Sequence, residues 1–201
     1  MVTAVITLLP MLAGLILWES LPDVVATHFN MQNEPDGWSS KAMAVVGIPV
    51  ILTALHLVCA LLVGKDPKHQ NINRKMLALV FWICPLCSFI CCGTIYGYAL
   101  GVSFDFMRLA NLFVGGLFIG IGNYLPKSRQ NGTVGVRISW TLSSEENWNK
   151  THRLAGWVWV LCGIVILLNV FLEQQLLFLA AVMIGCVAPI VYSYMLHRKG
   201  V

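Results

Sequence analysis

Charged residues are scarce in this sequence of 201 residues, in which only 11% are Asp, Glu, Lys or Arg and 58% are hydrophobic. Soluble domains hold about 25% charged and about 45–50% apolar residues. A soluble fold of this size would leave much of that apolar surface in water, whereas a bilayer solvates it directly. The composition therefore excludes a soluble domain and predicts an integral membrane protein.

Carboxylates are missing from the middle of every long apolar run, where proton-coupled carriers usually need one. The seven cysteines all lie inside apolar runs and follow no disulfide framework. Two His–carboxylate sets could act as a general base, His28 with Asp36 and His152 with Glu145 or Glu146. Neither set has a nucleophile or a recognised metal motif beside it. We therefore expect no enzyme and no cofactor.

Six apolar runs are long enough to cross a hydrocarbon core of about 30 Å. Eleven of the thirteen Lys and Arg residues lie in the two loops 64–75 and 126–153 or in the C-terminal tail. Because basic loops of membrane proteins stay in the cytoplasm, both termini are predicted to be cytoplasmic. The predicted fold is an all-α membrane protein, a bundle of six transmembrane helices with N-in/C-in topology. The predicted spans are residues 2–18, 42–63, 76–100, 108–125, 154–171 and 176–196.

The fourth run contains the motif Gly116-x-x-x-Gly120. Small residues one helical turn apart let a second backbone approach closely. The motif predicts helix packing within the bundle, and a homodimer is the alternative.

The loop 19–41, predicted to face outward, has the features of an ordered segment. Residues 24–29 have the β-branched and aromatic content of a strand, and Glu34-Pro35-Asp36-Gly37 is a predicted turn. Four acidic residues against one Lys give residues 19–41 a net charge of −3, which would attract a cationic ligand or peptide. His28 has three interpretations, a hydrogen-bonded structural residue, a ligand contact, or a weak metal ligand together with Asp36. The candidate residues are His28, Asn30, Glu34, Asp36, Trp38 and Lys41.

The loop 126–153, predicted to be cytoplasmic, alternates apolar and polar residues between 133 and 142, which predicts an extended segment. Ser143-x-x-Glu146 then forms a capping-box pattern, so a helix is predicted to begin there. Glu146 and Lys150 have the spacing of a favourable pair on that helix. Arg137, His152 and Arg153 would form a basic site, either an anchor for anionic lipid or a docking site for a partner.

Two stretches of the sequence carry a family resemblance. The first resembles the N-terminal domain of unknown function that often precedes SdpI-type membrane proteins, and we assign it residues 1–63. The second resembles the signature of the SdpI family itself, and we assign that core residues 76–196. The matching motifs are Leu21-Pro22-Asp23, Thr27-His28-Phe29-Asn30 and Glu34-Pro35-Asp36-Gly37-Trp38 in the first stretch, and Gly122-Asn123-Tyr124-Leu125-Pro126-Lys127, Gly135-x-Arg137, Trp140-Thr141-Leu142-Ser143 and Thr151-His152-Arg153-Leu154-Ala155-Gly156 in the second.

Two positions depart from the family pattern. Asn33 stands where the family usually has Gly, and Asn tolerates the same left-handed conformation. Ser139 stands where the family usually has Pro, which would loosen the extended segment.

The resemblance implies a multi-pass protein of the bacterial plasma membrane that gives immunity against a secreted killing peptide. It also implies a receptor that recruits a small transcriptional repressor, with no direct contact to nucleic acid. The alternative function is a small-molecule or lipid transporter, or a lipid-binding membrane protein. The cytoplasmic candidates for a partner or an anionic lipid are Asn123, Asn131, Gly135, Arg137, Trp140, Thr141, Trp148 and His152.

Overall fold

The computed structural model describes residues 2–30 and 32–201 and is mostly helical. Within these residues, seven α-helices follow one another along the chain, and a β-hairpin lies between the first two. A π-helical turn, Met43–Gly47, leads into the second helix. The strands are β1 (Val24–Phe29) and β2 (Pro35–Ser40), and the helices are α1 (Val2–Ile16), α2 (Ile48–Lys65), α3 (Arg74–Ala99), α4 (Phe106–Tyr124), α5 (Ser139–Ser143), α6 (Glu145–Leu172) and α7 (Gln175–Arg198).

Five of the six predicted spans coincide with helices that are long and apolar enough to cross a membrane. The sixth, α1, is apolar but has only 15 residues. At 1.5 Å per residue α1 rises about 22 Å, short of a hydrocarbon core of about 30 Å. It ends before residue 18 because a 3₁₀ turn, Trp18–Ser20, follows. The five helical stretches are Met43–Lys65, Arg74–Ala99, Phe106–Lys127, Glu145–Leu172 and Gln175–Arg198.

The distribution of polar and apolar side chains is the reverse of that in a soluble protein. Large apolar side chains face outward, among them Phe171, which is 84% exposed, and Leu176, which is 82% exposed. Asparagines are buried instead, and Asn169 donates to the side-chain oxygen of Asn111 at 3.1 Å inside the helix bundle. Polar groups inside and apolar groups outside are stable where the surroundings are lipid.

The chain divides into two compact units, of which the first comprises residues up to 61 together with 80–106. In this unit α1 lies directly against α3, since a Cβ at Gly14 would be 2.6 Å from the hydroxyl oxygen of Tyr96. Polar side chains find partners across the helices. Thr3 and His56 are joined by a hydrogen bond of 2.9 Å, and the Ser88 hydroxyl donates to the carbonyl of Thr7. The core of the unit is formed by Leu21, Val25, Ala44, Val45, Cys92, Ile95 and Tyr96.

The second unit comprises residues 62–79 and 107–201. Here α4 and α6 cross at two glycine pairs. A Cβ at Gly115 would be 3.1 Å from the carbonyl oxygen of Gly163, and a Cβ at Gly122 would be 2.9 Å from that of Gly156. Both backbones therefore approach so closely that only glycine fits.

The prediction that Gly116 and Gly120 mediate this close approach within the bundle is wrong. A Cβ at Gly116 would meet no described atom within 4 Å, and one at Gly120 would meet only the side chain of Leu79, at 3.4 Å. The contacting glycines lie seven residues apart on each helix, two turns instead of one, so the one-turn motif identified the helix but not its packing face.

The segment before α6 also differs from the prediction. Residues 139–143 form the short helix α5 in place of an extended stretch, and no strand lies there among the described residues. The Thr141 hydroxyl donates to the carbonyls of Val136 and Ile138 and accepts from the Ile138 N–H, so it closes a local turn. Such side-chain bonds to the backbone compete with strand pairing. Ser139 is the first residue of α5, a position where Pro also fits.

The start of α6 is one residue later than the capping-box pattern predicts. Ser144, not Ser143, caps the helix, and its side-chain oxygen accepts from the backbone N–H of Asn147 at 3.1 Å. The predicted pair is present, since Lys150 lies 2.7 Å from Glu146.

Candidate functional site

The hairpin of the first unit confirms the strand predicted for residues 24–29. β1 and β2 are antiparallel, and their register runs from Val24 opposite Ser40 to Phe29 opposite Pro35. Val25 and Ala26 are buried, whereas alternate side chains of β2 point away from the unit. One face of the hairpin therefore packs on the helices and the other remains accessible.

The turn of the hairpin lies earlier than predicted. The prediction of a turn at Glu34–Gly37 is wrong, because residues from Pro35 onward already belong to β2. The side-chain oxygen of Asn30 accepts from the N–H groups of Gln32 and Glu34, and this Asx arrangement closes the turn. Asn33 has a φ of 63°, so it adopts the left-handed conformation expected for it. Gly37 has another role, since a Cβ there would lie 2.8 Å from that of His28 on β1.

Two contacts hold the hairpin on its unit. The ring of Phe29 stacks on Phe106 at a centroid distance of 3.8 Å. The ammonium group of Lys41 donates to the carbonyls of Trp18 and Leu21 and lies 3.2 Å from the Asp23 carboxylate. Among the outer-loop candidates, Asn30 and Lys41 are therefore committed to internal structure.

The other four outer-loop candidates lie on the accessible side of the hairpin. His28 Nδ1 and an oxygen of Asp36 are 2.5 Å apart, and both side chains are exposed. Trp38 is 59% exposed and Glu34 is exposed too. No cluster of three or more metal-ligating side chains occurs in the described part of the chain. This face can hydrogen-bond, pair with a cation and stack on an apolar group.

The second unit joins residues 66–73 to residues 128–141 by many polar contacts, and we call these two segments the clasp. The Asp66 carboxylate accepts from the Gly132 N–H at 2.8 Å and from the Thr133 hydroxyl at 2.6 Å. The backbone N–H of Arg129 donates to the carbonyl of Asn71. Sequence reasoning missed Asp66, although the Asp66-Pro67 dipeptide directly after a span is a turn signal.

The electrostatics of Asp66 follow from these contacts. Its burial alone would raise the pKa of the carboxyl. The hydrogen bonds from Thr133, Lys68 and Gly132 and the neighbouring His69 outweigh burial and hold the pKa of Asp66 below its usual value. The carboxylate is therefore ionised at neutral pH, where it accepts three hydrogen bonds.

The buried side chain of His152 connects the clasp to α6 by hydrogen bonds. Its Nε2 accepts from the Val136 N–H at 3.0 Å and its Nδ1 donates to the Trp148 carbonyl at 2.8 Å, the hydrogen-bonding pattern of a neutral imidazole. The ring stacks on that of Trp148 at 3.9 Å. Gly135 has a φ of 129°, and a Cβ there would lie 2.3 Å from Nε2. Both conditions require glycine at this position.

The other inner-loop candidates divide into buried and accessible residues. Asn131 and Thr141 are buried and bond only to the backbone of the clasp. Trp140 stacks on His197 at a centroid distance of 5.6 Å. The exposed guanidinium of Arg137 donates to the Gly132 carbonyl. The predicted grouping of Arg137, His152 and Arg153 is therefore distributed over three places, because Arg153 lines a separate cleft together with Asn123.

Two parts of the chain match models of known families. Residues 127–193 match the model of the SdpI/YfhL protein family, and residues 5–53 match that of a domain of unknown function. The immunity protein SdpI of Bacillus subtilis (strain 168) is 26% identical over 206 residues, covering 98% of this chain and 95% of the relative. The resemblance to the SdpI family is confirmed. No solved structure matches.

Each of the two family matches covers all or most of one of the candidate regions. The hairpin lies within residues 5–53, whereas the longer clasp segment, α6 and most of α7 lie within residues 127–193. Together with the five apolar helices, the likeness to SdpI makes this chain a multi-pass bacterial membrane protein.

Proposed function

We propose that this chain is a membrane immunity protein that protects the cell from a secreted killing peptide. The observation that carries the proposal is the similarity to the immunity protein SdpI, which extends over 98% of the chain and includes both the hairpin and the clasp. The proposal assigns the chain no catalytic role.

The proposed topology has six spans with both termini in the cytoplasm. In the second unit the clasp joins the connection after α2 to that after α4, and the C-terminal carbonyl of Val201 accepts from Asn147 near the start of α6. All eleven basic residues of the predicted inner loops and tail lie in this second unit. Because basic loops stay inside, the clasp is cytoplasmic in this proposal. The short α1 then spans with local bilayer thinning.

This orientation turns the hairpin outward, where a secreted peptide arrives. The loop from residue 19 to 41 carries four acidic residues and one Lys, and its accessible face offers Trp38 and the His28–Asp36 pair. Negative charge increases the encounter rate with a cationic peptide, and an exposed indole ring supplies apolar contact area. We therefore assign the first contact with the killing peptide to this face.

The proposal also includes a receptor role on the cytoplasmic side. The exposed part of the clasp and α5 presents Arg129, Arg137 and Leu142. In this proposal a small cytoplasmic repressor docks there after the peptide has bound outside. Replacing Arg137 by Gln would release the repressor from membranes without changing survival.

A killing assay tests the main proposal. We expect the chain to restore survival when it is expressed in Bacillus subtilis lacking its own SdpI and exposed to medium from a culture that secretes the killing peptide. Trp38→Ala should abolish most of the protection at an unchanged level in the membrane. Trp82→Ala, which removes a similarly exposed Trp from α3, is the matched control and should protect fully. Unchanged sensitivity with the protein present in the membrane would refute the proposal.

A further inference from the structure

A cleft of about 630 Å³ lies on the second unit where α4 crosses α6. Its floor is the close contact of Gly122 and Gly156, whose backbones touch with no side chain between them. Both glycines line the cleft beside this crossing. The remaining lining residues are Asn123, Pro126, Asn149, Arg153, Trp157 and Val160.

The lining of the cleft changes from polar to apolar along α6. Asn149 and Arg153 lie near the start of the helix, and Trp157 and Val160 follow one and nearly two turns after Arg153. Trp157 is 69% exposed, which suits an indole ring at a membrane interface. A charged group, an aromatic ring and an apolar side chain therefore follow one another along the cleft. They match, in that order, the headgroup, the interfacial region and the acyl chain of a bilayer lipid.

Arg153 is a free cation at the polar end. No described residue forms an ion pair or a side-chain hydrogen bond with it. Three other basic side chains of the second unit do have partners. Lys150 pairs with Glu146, the guanidinium of Arg137 donates to a clasp carbonyl, and Lys127 donates to Asn123. A guanidinium with five unused donors, next to the amide of Asn149, matches the geometry of a phosphate group.

We propose that this cleft binds one anionic phospholipid of the surrounding bilayer. Its phosphate is held by Arg153 and the amides of Asn149 and Asn123, and its acyl chain follows Trp157 and Val160 toward the membrane interior. The lipid also covers the crossing at Gly122 and Gly156. This site is independent of the proposed immunity role.

The proposed lipid site includes only part of the residues that the sequence suggested for an anionic lipid. Asn131 and His152 are buried, and their polar atoms are hydrogen-bonded within the clasp and α6. Arg137 donates to the Gly132 carbonyl. Of the residues that the sequence suggested for an anionic lipid, Asn123 and Arg153 line the cleft.

Native mass spectrometry of the purified full-length chain tests the proposal with phosphatidylglycerol and phosphatidylcholine as probes. We expect the wild type to retain phosphatidylglycerol in preference to phosphatidylcholine. Arg153→Gln should lower that preference about fivefold, the effect of one basic residue on an anionic lipid at the surface. Val160→Trp, which fills the apolar part and leaves Arg153 in place, should lower phosphatidylglycerol binding by a similar factor.

Two comparisons make the result decisive. Lys150→Gln removes the same charge one turn earlier on α6, outside the cleft, and should leave the preference within twofold of wild type. An equal loss in this control, or no loss in Arg153→Gln, would mean general surface attraction and would overturn the site.

Soluble glycerol phosphate should not displace the lipid. Displacement, or full binding in Val160→Trp, would identify a simple phosphate site and would overturn the lipid assignment.

Discussion

The hairpin and the clasp are both rich in polar residues, yet they use them in opposite ways. In the hairpin, the His28–Asp36 pair and Trp38 are exposed, and only the backbone and a few anchors hold the strands in place. In the clasp and at its contact with α6, Asn131, Thr141 and His152 are buried and each has its hydrogen bonds within the protein. A polar motif in the sequence can therefore indicate either a binding surface for a partner or a set of buried hydrogen bonds that stabilises the fold. The burial of the side chains distinguishes these two cases.

This difference predicts where substitutions act. Buried polar groups that lose a partner cost much more than exposed ones. Changes at the buried polar residues of the clasp should reduce the amount of folded protein, whereas changes on the accessible face of the hairpin should leave the fold intact and affect only binding.

The largest expected effect is that of Gly135→Ala. The new Cβ would occupy a left-handed backbone position, 2.3 Å from His152 Nε2, so both strain and a clash arise at the centre of the clasp. We expect a loss of roughly 3 kcal/mol in the free energy of unfolding. The change can be measured as a lower thermal unfolding midpoint in detergent, followed by Trp fluorescence.

Gly132→Ala is the matched control for this prediction. A Cβ at Gly132 would meet Asp66 at 3.4 Å, an ordinary contact, so this variant should unfold near the wild-type temperature. Equal stability of the two alanine variants would contradict the structural role of Gly135.

Asp66→Asn should have a smaller effect, about 1–2 kcal/mol, because the amide keeps one acceptor oxygen and loses the charge. The folded state lowers the pKa of Asp66, so its contribution is complete above the ordinary pKa of Asp and is lost as pH falls through the lower folded value. We expect the wild type to be more stable than the variant at pH 6 and the difference to shrink below about pH 4. A difference independent of pH would show that the carboxylate charge does not hold the clasp.

The fold could be predicted from the sequence where a single physical signal determined the structure of a segment. Apolar length identified five helices of spanning length, and β-branched content identified β1, because each signal lies within a single segment. The left-handed Asn33 was also readable, since few residues tolerate that conformation.

The predictions failed where hydrogen bonds of individual side chains decided the outcome. The alternating pattern of residues 133–142 fits a strand, but a strand needs a partner, and the hydroxyl of Thr141 instead closes a local turn. The hairpin turn lies around Asn33 because the side chain of Asn30 caps it. The contribution of Asp66 depends on Gly132 and Thr133, more than sixty residues away. Periodicity and composition do not encode such hydrogen bonds.

The smallest expected effect is that of His28→Gln on the accessible face of the hairpin. Although His28 and Asp36 lie 2.5 Å apart, both are exposed, and exposed pairs contribute less than about 1 kcal/mol. We expect an unfolding midpoint in detergent close to that of the wild type, together with reduced survival in the killing assay. The adjacent Phe29→Ala is the reference, because it removes the stacking on Phe106 and should cost about 2 kcal/mol. If His28→Gln unfolded as early as Phe29→Ala, the pair would be part of the structure of the hairpin, and the contrast with the clasp would fail at this point.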